Sequence, residues 1–151
     1  MNPDEVRVRP VDPDRLLVVE DSAEDTEAIA RALAATHPRL EVEFADRTDG
    51  LLERLTAAER LPGMMLLDLN MPGTGGHRLL RGLRAVPALR ELIVVVFTSS
   101  TSAAEVDASY AAGADSHIYK PINFDLFRTV LQGAVDYWQP RIGESSEGRS
   151  R

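Results

Sequence analysis

Cysteine is missing altogether. Without a thiol the chain has no disulfide framework, no zinc–thiolate centre and no thiol nucleophile. No apolar run approaches the length that spans a bilayer, so no membrane association is expected. The N-terminus, Met1-Asn2-Pro3-Asp4-Glu5, lacks the apolar core of a secretion signal, and a cytoplasmic location is expected. Positive charge is in deficit: the formal net charge is −7 and the pI about 4.9. Lys and Arg are scattered rather than gathered into a stripe, which removes the electrostatic footprint of a nucleic-acid binder. No internal repeat or interdomain linker interrupts the 151 residues, 44% of them apolar. One domain with a real core is expected.

What is present is organised around Met64-Met65-Leu66-Leu67-Asp68-Leu69-Asn70-Met71-Pro72-Gly73. The apolar run, set off by Pro62-Gly63 and stopped by Pro72-Gly73, has strand length. Its lack of polar alternation suits a parallel strand covered on both faces. Asp68 then stands at the carboxyl edge of a sheet, where ligands gather in open α/β folds. It is the candidate reactive residue, against the alternative of a turn or capping Asp.

Around this stretch, strand and helix patterns alternate. Leu16-Leu17-Val18-Val19 reads as a strand, followed by a helix capped by Ser22 with Asp25 three residues on and Ile29 and Leu33 a turn apart. A strand over 40–45, a helix over 49–59, and a helix using Leu79, Leu80 and Leu83 come next. Ile93-Val94-Val95-Val96-Phe97 is a strand, and 102–112 a helix closed by Gly113. Ser116-His117-Ile118-Tyr119 is a short fifth strand. Asn123 caps a last helix bearing Phe127, Val130, Leu131, Ala134, Val135 and Trp138, ended by Pro140. Five βα units predict an α/β fold: a doubly wound five-stranded parallel sheet of flavodoxin-like order 2-1-3-4-5 in three α/β/α layers. The domain is expected over 14–142, with residues 1–13 and 143–151 as flexible tails.

That strand order makes the first and third strands neighbours, so Glu20-Asp21 falls beside Asp68. Three converging carboxylates repel one another unless a hard cation with oxygen ligands lies between them, which describes Mg²⁺. The backbone carbonyl of Asn70 can supply a further oxygen. Alternatively, Glu20 and Asp21 only favour the positive end of the first helix. Thr98 and Lys120, at the ends of the last two strands, face the carboxylates. Singly they read as a capping hydroxyl and a solvated lysine. Lys120-Pro121 suggests a cis peptide that would aim Lys120 inward.

Glu20-Asp21, the Asp68–Gly73 segment, Thr98 thirty residues on, and Gly113-Ala114-Asp115 leading to Lys120-Pro121 together resemble a two-component receiver domain over about 15–140. The resemblance implies that Asp68 accepts a phosphoryl group from a phosphohistidine of a sensor histidine kinase. Asp21, Asp68 and the Asn70 carbonyl would hold Mg²⁺, with Glu20 assisting, and Thr98 and Lys120 would bind the phosphoryl oxygens. Asn70 and Ser100 would tune hydrolysis, making the protein a phosphoacceptor with intrinsic autodephosphorylation rather than an enzyme. Ser99 stands where receivers usually carry Ala or Gly, and His117 where many carry an aromatic switch residue paired with Thr98. With no output segment following, a stand-alone regulator acting on a separate downstream protein is expected.

The ending Val135-Asp136-Tyr137-Trp138 looks similar to the regulators of bacterial phytochromes, implying a light-sensing kinase. Kinase choice is expected at Glu24, Asp25, Ala28 and Ile122 to Phe124. On the last helix Phe127, Leu131, Ala134 and Trp138 can cover the sheet, leaving Leu126, Val130 and Tyr137 as a second stripe. A homodimer through the fourth helix, fifth strand and fifth helix follows, with Val130 and Tyr137 in its face. Two other readings stay open. A haloacid-dehalogenase-like phosphatase would need an acid where Asn70 stands, and a phosphorylation-independent interaction module would need none of the acceptor groups.

Overall fold

The computed structural model describes residues 8–71, 75–99 and 102–143. The expected tail residues 1–7 and 144–151, Pro72-Gly73 and Ser100 lie outside the described residues. Five strands alternate with five helices: β1 Val11–Val19, α1 Ala23–Thr36, β2 Glu41–Ala45, α2 Leu51–Ala57, β3 Leu61–Leu67, α3 Gly75–Ala85, β4 Ile93–Thr98, α4 Ala103–Ala111, β5 Ser116–Tyr119 and α5 Phe124–Trp138. All four strand pairings are parallel and the order is β2-β1-β3-β4-β5, as the sequence predicts.

Side chains of a strand alternate between faces, so each central strand feeds two cores. Met65 and Leu67 of β3, with Val94 and Val96 of β4, pack against Leu51, Leu55, Leu79, Leu80 and Leu83 from α2 and α3. Met64 and Leu66, with Val95 and Phe97, pack against Ile29 and Leu33 of α1 and Phe127, Leu131, Val135 and Trp138 of α5. β3 and β4 are buried along their whole length, which is why they lack polar alternation. The caps read from the sequence form: Ser22 Oγ accepts from the Asp25 amide at 3.2 Å and Asn123 Oδ1 from Leu126 at 3.0 Å, while Ser102, expected inside its helix, caps it instead and accepts from the Glu105 amide at 3.4 Å.

Several expectations are corrected. β1 begins at Val11, so residues 11–13 belong to the sheet and not to a tail. Val11 and Asp12 pair with Leu61 and Pro62, and the register slips between Asp12 and Leu16, which accommodates Pro13. Pro62-Gly63 lies inside β3 rather than before it. A Cβ at Gly63 would stand 2.6 Å from the Asp12 carbonyl oxygen and 2.7 Å from Ile142 Cγ2, so only glycine lets these segments close on β3. α2 is shorter than 49–59 because Gly50, at φ 73°, is in the left-handed region. The Lys120–Pro121 bond is trans. No cis bond is needed, because the Lys120 amide donates to the Thr98 carbonyl at 2.8 Å and the ladder itself carries Lys120 to the sheet edge. Val130 is partly buried against the α1/α5 core rather than wet, whereas Leu126 and Tyr137 are each 53% exposed.

Candidate functional site

The last bonds of the parallel ladder set the site. The amide of Glu20 donates to Ala45 at 2.9 Å, that of Asp68 to Val19 at 3.1 Å and that of Lys120 to Thr98 at 2.8 Å. Each residue is thus fixed one step beyond its strand, at the carboxyl edge, while Thr98 is the last residue of β4. Glu20, Asp21 and Asp68 each offer a carboxylate oxygen within 4.8 Å of the others, Glu20 and Asp68 buried and Asp21 exposed. Asp68 Oδ1 is fixed by the Asn70 amide at 3.0 Å, and the Asn70 side-chain amide donates to Thr98 Oγ1 at 2.7 Å. The sequence-predicted acceptor, acids, hydroxyl and lysine are therefore brought to one place.

Lys120 Nζ lies 2.7 Å from Glu20 Oε2, 2.8 Å from Asp25 Oδ2 and 3.6 Å from Asp68 Oδ2. Burial pushes Glu20 up to about 7, and the Asp68 charge adds to this; the Lys120 ammonium and the Ser22 amide, 3.1 Å from Glu20 Oε1, oppose it. For Lys120, burial alone would lower the pKa. The hydrogen bonds to Asp25 and Glu20 and the charge of Asp68 outweigh burial and raise it. Glu20 rises because its burial outweighs the help of an ammonium shared with other acids, and Lys120 rises because several acids surround it. An all-oxygen, over-negative donor set of this kind fits a hard divalent cation that keeps several waters.

Asp25, expected at the surface that sets kinase choice, also places its carboxylate on Lys120 Nζ, a contact the sequence does not announce. The nearest signal was the Ser22–Asp25 spacing, which puts Asp25 in the first turn of α1, directly above the strand-one acids. His117 of β5 turns toward α4, with Nδ1 2.8 Å from Ser109 Oγ. Burial lowers its pKa, Glu105 opposes that and His77 adds to it. Among the described residues no helix is long and apolar enough to cross a membrane.

Comparison with known proteins gives concordant findings. A family model described as the response regulator receiver domain matches residues 16–132. The chain is similar to the probable methanogenesis regulatory protein FilR2 of Methanothrix harundinacea, 30% identical over 131 residues and spanning 84% of each chain. It is also similar to response regulator Rcp1 of Synechocystis sp., 31% identical over 134 residues, covering 83% of this chain and 89% of Rcp1. The structure of the phosphorylated cyanobacterial phytochrome response regulator RcpA matches with a TM-score of 0.77 at 26% identity, over 83% of this chain and 93% of RcpA. The Mn²⁺-bound form of Rcp1 matches with a TM-score of 0.69 at 26% identity, over 89% of this chain and 98% of that one.

Proposed function

Because this chain belongs to the response regulator receiver domain family, we propose that it accepts a phosphoryl group on Asp68 from a sensor histidine kinase in a two-component relay. The observation that carries this reading is the buried Asp68, held through Oδ1 by the Asn70 amide, with the Thr98 hydroxyl and the Lys120 ammonium gathered around it. In the transfer an Asp68 oxygen forms a bond to phosphorus while the phosphorus–nitrogen bond of the donor histidine breaks, its electron pair returning to the imidazole. The transition state is loose, so positioning and charge neutralisation carry most of the catalysis. Lys120 supplies a cation and Thr98 a hydroxyl to the equatorial phosphoryl oxygens.

Asp21, Asp68 and the Asn70 backbone carbonyl would hold Mg²⁺, with Glu20 assisting. When bound, that ion supplies the positive charge the acids lack; the Mn²⁺-bound form of Rcp1 supports a divalent cation here. Asn70, two residues beyond the acceptor, stands where a side chain can admit or exclude the water that hydrolyses the acyl phosphate. The similarity to RcpA, described as a cyanobacterial phytochrome response regulator, supports a light-sensing kinase as donor. Signalling runs through the α4/β5/α5 face toward a second copy and a downstream protein. Tyr110, Tyr119, Leu126 and Tyr137 expose apolar surface there.

The test is incubation with Mg²⁺ and a small acyl-phosphate donor. An acid-stable, base-labile adduct, lost in Asp68→Asn and unaccompanied by turnover of phosphate esters, is expected. Ester turnover would instead indicate a phosphatase, and no adduct an interaction module.

A further inference from the structure

Ser22 and Asp25 have the spacing of a capping box, in which the acid three residues into the helix accepts a hydrogen bond from the cap residue's own amide. Only half of the box forms. Ser22 Oγ accepts from the Asp25 amide, but the Ser22 amide donates to Glu20 Oε1 at 3.1 Å. The Asp25 carboxylate is thereby released from the helix cap, and it reaches across to Lys120 Nζ at 2.8 Å. Lys120 lies 2.8 Å from Asp25, nearly as close as the 2.7 Å to Glu20 and much closer than the 3.6 Å to Asp68. A lysine that has to serve the acceptor is drawn off it by an acid outside the three-carboxylate group.

From this geometry, and resting on the receiver reading above, we propose that Asp25 is a positioning residue that competes with the phosphoryl group for Lys120 and passes the outcome to α1. Two physical consequences follow. An extra negative charge on the ammonium works against an incoming anionic phosphoryl group, so Asp25 slows transfer to Asp68. Once Lys120 turns to a phosphoryl oxygen, Asp25 loses its cation. Its carboxylate then falls back on the first turn of α1, where backbone amides and the positive end of the helix dipole favour an anion. The amino-terminal surface of α1 thus differs between the two phosphorylation states.

The experiment compares the full-length wild type with Asp25→Asn and Asp25→Ala, labelled by a small acyl-phosphate donor at fixed Mg²⁺, with circular dichroism confirming the fold. Asn keeps an acceptor oxygen without the charge, and Ala removes both. Both variants are expected to take up label about threefold to tenfold faster than wild type, the range for one screened charge on a pair that is partly open to water. In a parallel arm, amide resonances of residues 23–25 are followed on adding beryllofluoride, a phosphoryl mimic. They are expected to shift in wild type and to shift less in Asp25→Asn. A slower Asp25→Ala beside an unchanged Asp25→Asn would make Asp25 a hydrogen-bonded prop and overturn the proposal. Equal uptake in all three proteins would overturn it too, as would equal amide shifts. Absence of label on wild type would instead overturn the assignment of Asp68, a result distinct from equal labelling. Should Asp25→Ala lose its fold, Asp25→Asn alone gives the sign of the charge effect.

Discussion

Glu20 holds a buried carboxyl that one shared ammonium cannot fully neutralise, and this gives the protein a pH signature. Its folded-state pKa, about 7, lies above the ordinary 4.5. A group raised on folding contributes stability that is complete below its unfolded value and is lost as the pH rises through the folded one. The metal-free protein is therefore expected to gain stability between pH 8 and 5, by at most about 3 kcal/mol from this group. Mg²⁺ favours the ionised carboxyl, so its stabilisation is expected to be larger at pH 8 than at pH 6. Thermal unfolding across this range, with and without Mg²⁺, checks both, and Glu20→Gln is expected to flatten the metal-free trend. Asp68→Asn removes the nucleophilic oxygen and relieves carboxylate repulsion, so it is expected to abolish labelling while the melting temperature without metal stays level or rises. Lys120→Ala is expected to bind Mg²⁺ nearly normally, read by isothermal titration, and to lose the ability to hold the phosphorylated state. The acceptor, its acids, Thr98 and Lys120 were legible in the sequence because each ends or directly follows a recognisable strand. Asp25 was not, because its role depends on a bond made by the Ser22 amide to Glu20, and no spacing rule reports which partner an amide takes.

At the scale of elements, two ties join pieces that short-range signals describe separately. Arg84, near the end of α3, donates to the Gly113 and Leu92 carbonyls at 2.8 and 2.7 Å and pairs with Asp115 at 2.7 Å. Asp115 also accepts from the Val94 amide at 2.8 Å. Arg84→Ala removes the guanidinium from the Gly113 and Leu92 carbonyls and from the Asp115 carboxylate, and is expected to cost about 2–3 kcal/mol in urea unfolding. The second tie is His117 to Ser109, between β5 and α4. Because burial lowers the His117 pKa from 6.5, its contribution is fully present above that value and is lost as the pH falls below it through the lower folded-state pKa. Protection factors of the α4 amides, which are corrected for the base-catalysed intrinsic exchange rate, are expected to fall on acidification, and His117→Phe to remove that response. The helix caps at Ser22 and Asn123 were readable because capping is local. The first residues of β1 and β3 were not. Pro13 and Pro62-Gly63 read as breaks, and only the register slip and the close approach of Ile142 show why strands run through them.

For the whole molecule, the order of strands followed from the alternation of elements and the handedness of crossovers, whereas the assembly surface did not follow from helical spacing alone. Val130 was assigned to a partner's face but lies partly in the core, because α1 packs close enough to α5 to cover it. The proposed dimer face therefore rests on Leu126 and Tyr137, the latter with the Arg141 guanidinium 3.8 Å from its ring centroid. Leu126→Glu with Tyr137→Glu is expected to keep the protein monomeric in sedimentation at tens of micromolar with beryllofluoride and Mg²⁺, conditions in which wild type is expected to dimerise.

Gly63 lets the strand-one backbone and Ile142 meet at the beginning of β3, and Gln139 reaches Pro13 at 3.0 Å from the same quarter. The first and last described stretches of the chain are thus moored together on the rim of the sheet remote from Asp68. The strand from Gly63 to Asp68 sets that mooring about 17 Å from the acceptor. A surface anchor or fluorophore joined within either described stretch, at the exposed Pro10 or Gly143, would therefore leave the acceptor mouth unobstructed. A kinase in solution should reach the tethered protein as readily as the free one.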